Sequence, residues 1–221
     1  MPERATSSEK TREALIRAGL RLFGEKGFDG TSTREIAAAA GTNIASIAYH
    51  FRGKEGLQLA CAEFITTAMG GVAYHAMGNL AGNPELSSRE EARALLVKGV
   101  EMIVQFIAGR PEAAEIVQFV LRELMHPSPA LDHIYSGLFE PVHVRLCQLW
   151  AAATGEPADS DEVKLTVFSL IGQVVYFRIA EAAIMRRMGW SETGSDQTRD
   201  IARTVIANLN AILDARMRSA R

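Results

Sequence analysis

The stretch that most constrains this chain is residues 32–41, STREIAAAAG. Ser32 and Glu35 stand three apart. At that spacing the serine hydroxyl accepts from the glutamate amide while the carboxylate reaches back to the serine amide, so a helix opens here. Ala37 has to be small because a second helix must cross there, and Gly41, four residues on, permits the backbone of a tight turn. The sequence that follows, GTNIASIAYHF, predicts a third helix over 44–51 with Asn43 as its cap. It pairs an apolar anchor (Ile44, Ile47, Phe51) with a face of small hydrogen-bonding groups (Asn43, Ser46, Tyr49, His50). Ile36, Ala40 and Ile47 are expected to point inward, onto a first helix that starts near Ser8, carries Leu15, Ala18 and Leu22 on one face, and stops at Gly27 as a left-handed cap.

The rest of the chain has helical period throughout and no strong alternating pattern. Helices are predicted over 54–77, 88–108, 111–125, 129–154, 161–188 and 197–218. Pro111 suits a first turn, and the HPSP run at 126–129 interrupts the chain. Segments 78–88, 154–161 and 189–196 read as loops. The expected fold is all-α. An N-terminal three-helix helix-turn-helix domain spans 1–56, helix 54–77 connects, and a larger helical bundle spans 57–221. With 221 residues, 48% of them hydrophobic, the core can be sizeable.

The formal net charge of −2 gives no polyanion-binding signature for the whole chain. Its distribution says more: the first sixty residues carry nine Lys/Arg against seven Asp/Glu, and the remainder carries 15 against 19. Cys61 and Cys147 form no CxxC pair and read as buried free thiols. The opening MPERATSSEKTRE has no apolar run, so no secretory signal is expected. The apolar stretch 165–179 is interrupted by Gln173 and Arg178 and falls short of the roughly 18–20 residues of a membrane span. A cytoplasmic protein with no membrane partner is expected.

A helix–glycine–helix unit of this kind fits a helix-turn-helix, in which the second helix enters the DNA major groove. The outward positions are then Thr42, Asn43, Ala45, Ser46, Tyr49 and His50, small or hydrogen-bonding groups that suit phosphates or base edges. Lys54 combines a cation with the free amides of the next helix start, a phosphate clamp. Ser32, Thr33 and Arg34 stand at the start of the second helix and would fix register on phosphates. An ordinary surface helix is the competing reading of the same residues.

Three motifs decide between them: a Phe-x-x-x-Gly-Phe end to the first helix, T-S-x-x-x-I-A-x-x-A-G, and Y-H-F-x-x-K-E-x-L. Together they resemble the DNA-binding domain of the TetR/AcrR family of bacterial transcriptional regulators over about fifty residues. The resemblance implies a homodimer on a palindromic double-stranded operator, most often a repressor, whose C-terminal domain answers a small molecule. Two positions depart from the family pattern. Thr42-Asn43 stands in place of Val-Ser, and Ala48 in place of a tyrosine. Tyr49 lies one residue later, about 100° around the helix, so the usual tyrosine–phosphate contact does not transfer to Ala48.

Segments between 126 and 190 are similar to the C-terminal domain of CecR-like members of that family. Helix 161–188 is apolar around much of its circumference and should be covered on several sides. Paired with the last helix (Ile201, Val205, Ile206, Leu209, Ile212, Leu213), it is expected to form a two-fold four-helix interface. Polar groups within these apolar helices are the ligand candidates: Gln118, Arg122, His133, Tyr135, His143, Gln173, Tyr176 and Arg178. With Phe119, Phe139, Trp150 and Phe177 they would line a largely apolar pocket. His143 and Cys147 share a helix face at i, i+4, but no third ligand is evident, so no metal is expected. No nucleotide-binding glycine loop, G-x-S-x-G or H-E-x-x-H occurs, so neither cofactor nor enzymatic activity is expected, and carboxylates such as Glu123 and Asp132 read as solvated. The rival reading is a helical small-molecule-binding protein, or a regulator without effector response.

Overall fold

The computed structural model describes residues 6–78, 86, 88–110 and 113–219, and every regular element among them is a helix. The elements are α1 (Ser7–Lys26), α2 (Thr33–Ala39), α3 (Ala45–Phe51), α4 (Lys54–Met77), α5 (Arg89–Ile107), α6 (Ala113–Met125), α7 (Pro129–Ile134), a π-helical turn (Tyr135–Phe139), α8 (Glu140–Thr154), α9 (Asp161–Ile179), α10 (Glu181–Met188) and α11 (Ser195–Ser219). The expected helical start at Pro111 and most of loop 78–88 lie outside the described residues.

Packing divides the chain into two compact units. One comprises 1–68 and 115–137, the other 69–114 and 138–221. The boundary expected at residue 56 falls inside the first unit, which also takes in the first part of α4 and most of α6 and α7.

In the first unit, α1 begins a little earlier than expected. Thr6 accepts from the Glu9 amide, and Glu9 accepts from the Thr6 amide, a second capping box. Leu15, Ile16, Leu20, Leu22 and Phe23 of α1 are buried with Ile36, Ile47, Leu57 and Ile65. At about 1.5–3 kcal/mol per fully buried large side chain, this small core holds the two short helices, α2 and α3, that could not persist alone. Glu123 corrects the expectation of a solvated acid. It is buried, accepting from Gln58 Nε2 at 2.7 Å and from Ser128 Oγ at 2.5 Å.

In the second unit, α5 packs against α8, α9 and α11. Leu96, Val100, Val104, Leu149, Trp150, Val167, Leu170, Leu209 and Leu213 form its interior. Arg93 of α5 ties to Asn210 and Asp214 of α11 at 2.8 and 2.6 Å. Two expectations need correction here. The helix predicted over 161–188 breaks at Ala180, and its two parts are bent by 74°. The break follows Arg178, whose guanidinium is drawn to the carbonyls that end α5. The helix predicted over 129–154 likewise contains the π-helical turn and is not one continuous α-helix. Among the described residues no single helix is long and apolar enough to cross a membrane.

Candidate functional site

The turn between α2 and α3 is built by hydrogen bonds that the sequence anticipates. Ser32 caps α2: its hydroxyl accepts from the Glu35 amide, and the Glu35 carboxylate accepts from the Ser32 amide at 2.9 Å. Lys26 Nζ donates to the same carboxylate at 2.8 Å. That lysine first, then the Ser32 groups, hold the Glu35 carboxyl down to about 2. At the far end Gly41 takes φ +63, its amide donates to Ala38 O, and the Thr42 amide donates back to Ala37 O. These are the paired bonds of a helix terminated by a left-handed glycine. Ala37 is buried, as the close crossing requires.

The α3 helix starts one residue later than expected. Asn43 Oδ1 accepts from the Ala45 amide at 2.9 Å, two residues on, in the manner of an Asx turn. Ile47 and Phe51 are buried, but Ile44 is 48% exposed and does not belong to the anchor, since the helix begins only at Ala45. Ala40, which caps the end of α2, is half-buried. On the other face Asn43, Ala45, Ala48 and Tyr49 are exposed, while Thr42, Ser46 and His50 are half-buried. Thr42 Oγ1 and Ser46 Oγ share a hydrogen bond at 3.1 Å. Tyr49, 80% exposed, meets the His50 ring edge-on at 4.9 Å. At the start of α2, Ser32 and Arg34 are exposed and Thr33 is half-buried.

Lys54 sits otherwise than a free clamp would. Its ammonium donates to Phe28 O at 2.9 Å and Thr31 O at 3.1 Å, and lies 4.0 Å from the centre of the Phe28 ring. It ties the α1–α2 turn to the start of α4 and keeps one N–H to spare. Two neighbouring positions went unnoticed in the sequence. Arg52 is exposed and adopts φ +64, a conformation that costs a non-glycine residue about 1–2 kcal/mol. Gly56 is the second: a Cβ there would lie 1.8 Å from the Phe51 carbonyl oxygen, so only glycine lets α3 run this close to α4. The signal for both was present in F-R-G-K-E-G, where glycines bracket the turn.

The eight ligand candidates do not form one cluster. Gln118, Arg122, His133 and Tyr135 belong to the first unit. Gln118 is exposed near Gly24 of α1, and Arg122 Nη2 donates to Lys26 O at 3.1 Å, capping the end of α1. His133 and Tyr135 are exposed. The other four belong to the second unit. His143 stacks on Phe168 at 4.0 Å and bonds Lys164 O at 3.2 Å, with Cys147 Sγ 3.7 Å from its Nδ1. Gln173 accepts from Asn208, and Tyr176 is 60% exposed. Arg178 donates to the carbonyls of Ile107, Ala108 and Arg110 and pairs with Glu181. A cavity of about 20 Å³ lies among α5, α8, α9 and α11, walled by Leu96, Val100, Ile103, Leu146, Val167, Leu170, Ile171, Val174 and Leu209. No ligand candidate touches it, nor do Phe119, Phe139, Trp150 or Phe177. Arg122, His143, Gln173 and Arg178 have partners at a helix end, on the backbone or in a neighbouring side chain.

The outer surface of the second unit departs from expectation too. On α9, Leu165, Phe168, Tyr176 and Ile179 are between 55% and 68% exposed, so this helix is covered on one side only within the chain. On α11 the expected interface residues Ile201, Val205, Leu209 and Leu213 are buried in the unit's own core, Ile206 and Ile212 are half-buried, and the open face carries Thr204, Ala207, Asn208 and Ala211.

Comparison with known proteins agrees with this geometry. Residues 15–61 match the family model of bacterial regulatory proteins of the tetR family, and residues 92–216 match that of the C-terminal domain of the HTH-type transcriptional dual regulator CecR. The CecR dual regulator of Shigella flexneri is 33% identical over 215 residues, covering 96% of this chain and 95% of its own. Among solved structures, a TetR-like transcriptional regulator from Rhodococcus sp. RHA1 superposes with a TM-score of 0.64 at 18% identity, covering 94% of this chain and 99% of its own. AibR, solved in complex with isovaleryl coenzyme A and operator DNA, has a TM-score of 0.64 at 17% identity over 89% of this chain and 96% of its own. A relative that matches along nearly its whole length and two family matches, one N-terminal and one C-terminal, establish that the chain belongs to the TetR family of DNA-binding bacterial transcriptional regulators.

Proposed function

We propose that this regulator is an effector-responsive repressor that binds a palindromic operator as a homodimer. Each protomer places α3 in a major groove. Asn43, Ala45, Ser46, Tyr49 and His50 face base edges and the sugar–phosphate wall. Thr42, Ser32, Thr33, Arg34, Arg52 and the remaining N–H of Lys54 set register on phosphates. The carrying observation is the two-sidedness of α3: Ile47 and Phe51 are buried while Tyr49 stands 80% exposed. The exposed apolar face of α9 supports pairing with a second copy, where Leu165, Phe168 and Ile179 would leave water. An effector that prefers one spacing of the two DNA-binding heads would shift the dimer between operator-competent and incompetent states.

The test is a gel shift on the region upstream of the chain's own reading frame. Binding should be sequence-dependent and weaken steeply with salt. Tyr49→Ala, which removes no internal hydrogen bond, should keep the fold and lose about tenfold or more in operator affinity. Unchanged affinity would remove α3 as the reading element. A second reading, regulation through protein contacts without an effector, draws support from the cavity, whose 20 Å³ admits about one water. Failure of any small molecule to shift the melting temperature of the protein would favour it.

A further inference from the structure

Gly172 stands in the middle of α9 with no reason inside its own chain to be glycine. Its backbone is ordinary helix without a positive φ, and a Cβ added there would meet nothing within 4 Å. Glycine weakens a helix interior, so it is expected where something else must come close. Gly172 is exposed, and so are four large side chains set about it: Leu165 and Phe168 before it, Tyr176 and Ile179 after it. They stand seven and four residues away on each side. At about 100° per residue all four lie within about 40° of Gly172 around the helix, on one face.

This pattern reads the same from either end. Turned end for end about Gly172, Leu165 falls where Ile179 stood and Phe168 where Tyr176 stood, aliphatic on aliphatic and ring on ring. A face that is its own complement is what a two-fold interface requires, because each contact is made twice with the partners exchanged. Charge gives the same orientation. The first turn of α9 carries exposed Asp161 and Glu162, whereas α10, which follows the other end of α9, closes with exposed Arg186 and Arg187. No ion pair among the described residues involves either arginine. An antiparallel pair brings the acidic start of one α9 to the end from which the partner's α10 departs. A parallel pair sets like charge beside like at both ends.

We propose that a second copy of this chain covers α9, antiparallel to the first, with the two-fold axis passing between the two Gly172 residues. The missing side chains let the two helices cross closely there. On each side of the axis Leu165 packs against the partner's Ile179, and Phe168 against the partner's Tyr176. The proposal rests on the reading of the protein as a homodimer and names the register in which its copies meet. It gives Gly172 a role in association alone, because an added Cβ would touch nothing in its own chain.

Sedimentation equilibrium and cysteine cross-linking of the full chain test this. Gly172→Leu should keep the helical signal of the parent and weaken self-association about tenfold or more, since each dimer receives two new side chains at the crossing. Unchanged association overturns the proposal. The native Cys61 and Cys147 are buried and do not compete for a cross-linker. With a short bismaleimide, Gly172→Cys should give a covalent dimer, and so should the double variant Phe168→Cys, Tyr176→Cys. Leu165→Cys alone should not, because in an antiparallel pair its two copies stand about 21 Å apart along the helices. A covalent dimer of Leu165→Cys means a parallel pair and overturns the proposal. If Gly172→Cys itself prevents association, the double variant decides. A dimer in which the double variant stays uncross-linked meets in another register or through another face, which overturns this proposal and leaves the homodimer standing. A chain that stays monomeric at every concentration overturns both.

Discussion

Tyr49 and Arg178 are both polar side chains set in apolar helical sequence, and they end in opposite places. Tyr49 stands in solvent on a seven-residue helix whose other face is fully used by Ile47 and Phe51. Arg178, only 10% exposed at its side chain, closes over the carbonyls that end α5. The same contrast separates residues 32–54 from the second unit generally. A short helix anchored by two residues has no room to bury its polar face, so that face stays available to a partner. A long helix inside a bundle brings its polar groups near other helix ends, where four carbonyls lack partners and a guanidinium is the natural donor. A polar residue in apolar sequence is therefore a stronger sign of a binding surface on a short anchored helix than inside a bundle.

The contrast can be broken by substitution. The largest effect is expected from Gly56→Ala, because the added carbon meets backbone and cannot be relieved by turning a side chain. It should cost about 3 kcal/mol in urea unfolding and abolish operator binding by displacing α3. Gly41→Ala is its control: nothing lies within 4 Å of the added carbon, so only the positive φ is penalised, by about 1 kcal/mol. Equal costs for the two would mean that α3 is not held by its closeness to α4. Arg178→Met should cost about 2 kcal/mol through the carbonyls it leaves unpaired. Operator affinity at full folding should be unchanged, and a loss of small-molecule response without loss of stability would return Arg178 to the ligand site.

The smallest effect concerns Glu35, and pH reveals it. Its folded carboxyl titrates near 2, below the ordinary 4.5, so its contribution is complete above pH 4.5 and is lost as pH falls towards 2. Glu35→Gln should therefore be less stable than the parent at pH 7, and the difference should shrink between pH 4.5 and 2. A difference that persists at pH 2 would assign the effect to helix propensity instead of the Lys26 and Ser32 contacts.

The local elements were legible in the residues because their signals are local. The Ser32–Glu35 box, Gly41 and the closing Gly27 each act within a turn or two, and their helices appear where expected, although Gly27 takes φ 76 and ψ 173, outside the left-handed helical region. The break at Ala180 was not legible, and it stands two residues after Arg178, whose guanidinium meets a helix end some seventy residues earlier. The partner that Arg122 meets was hidden for the same reason: nothing in its neighbourhood in sequence says that the end of α1 will lie beside it.

By itself the sequence determined an all-helical chain, a helix-turn-helix near its start and a short third helix with one buried and one open face. Those follow from periodicity, caps and turn chemistry, which act over a few residues. Only the tertiary structure decided that Lys54 would hold the α1–α2 turn and that α9 would keep an apolar face uncovered. Each depends on which distant backbone groups arrive nearby, and burial assigns partners only after the helices have packed.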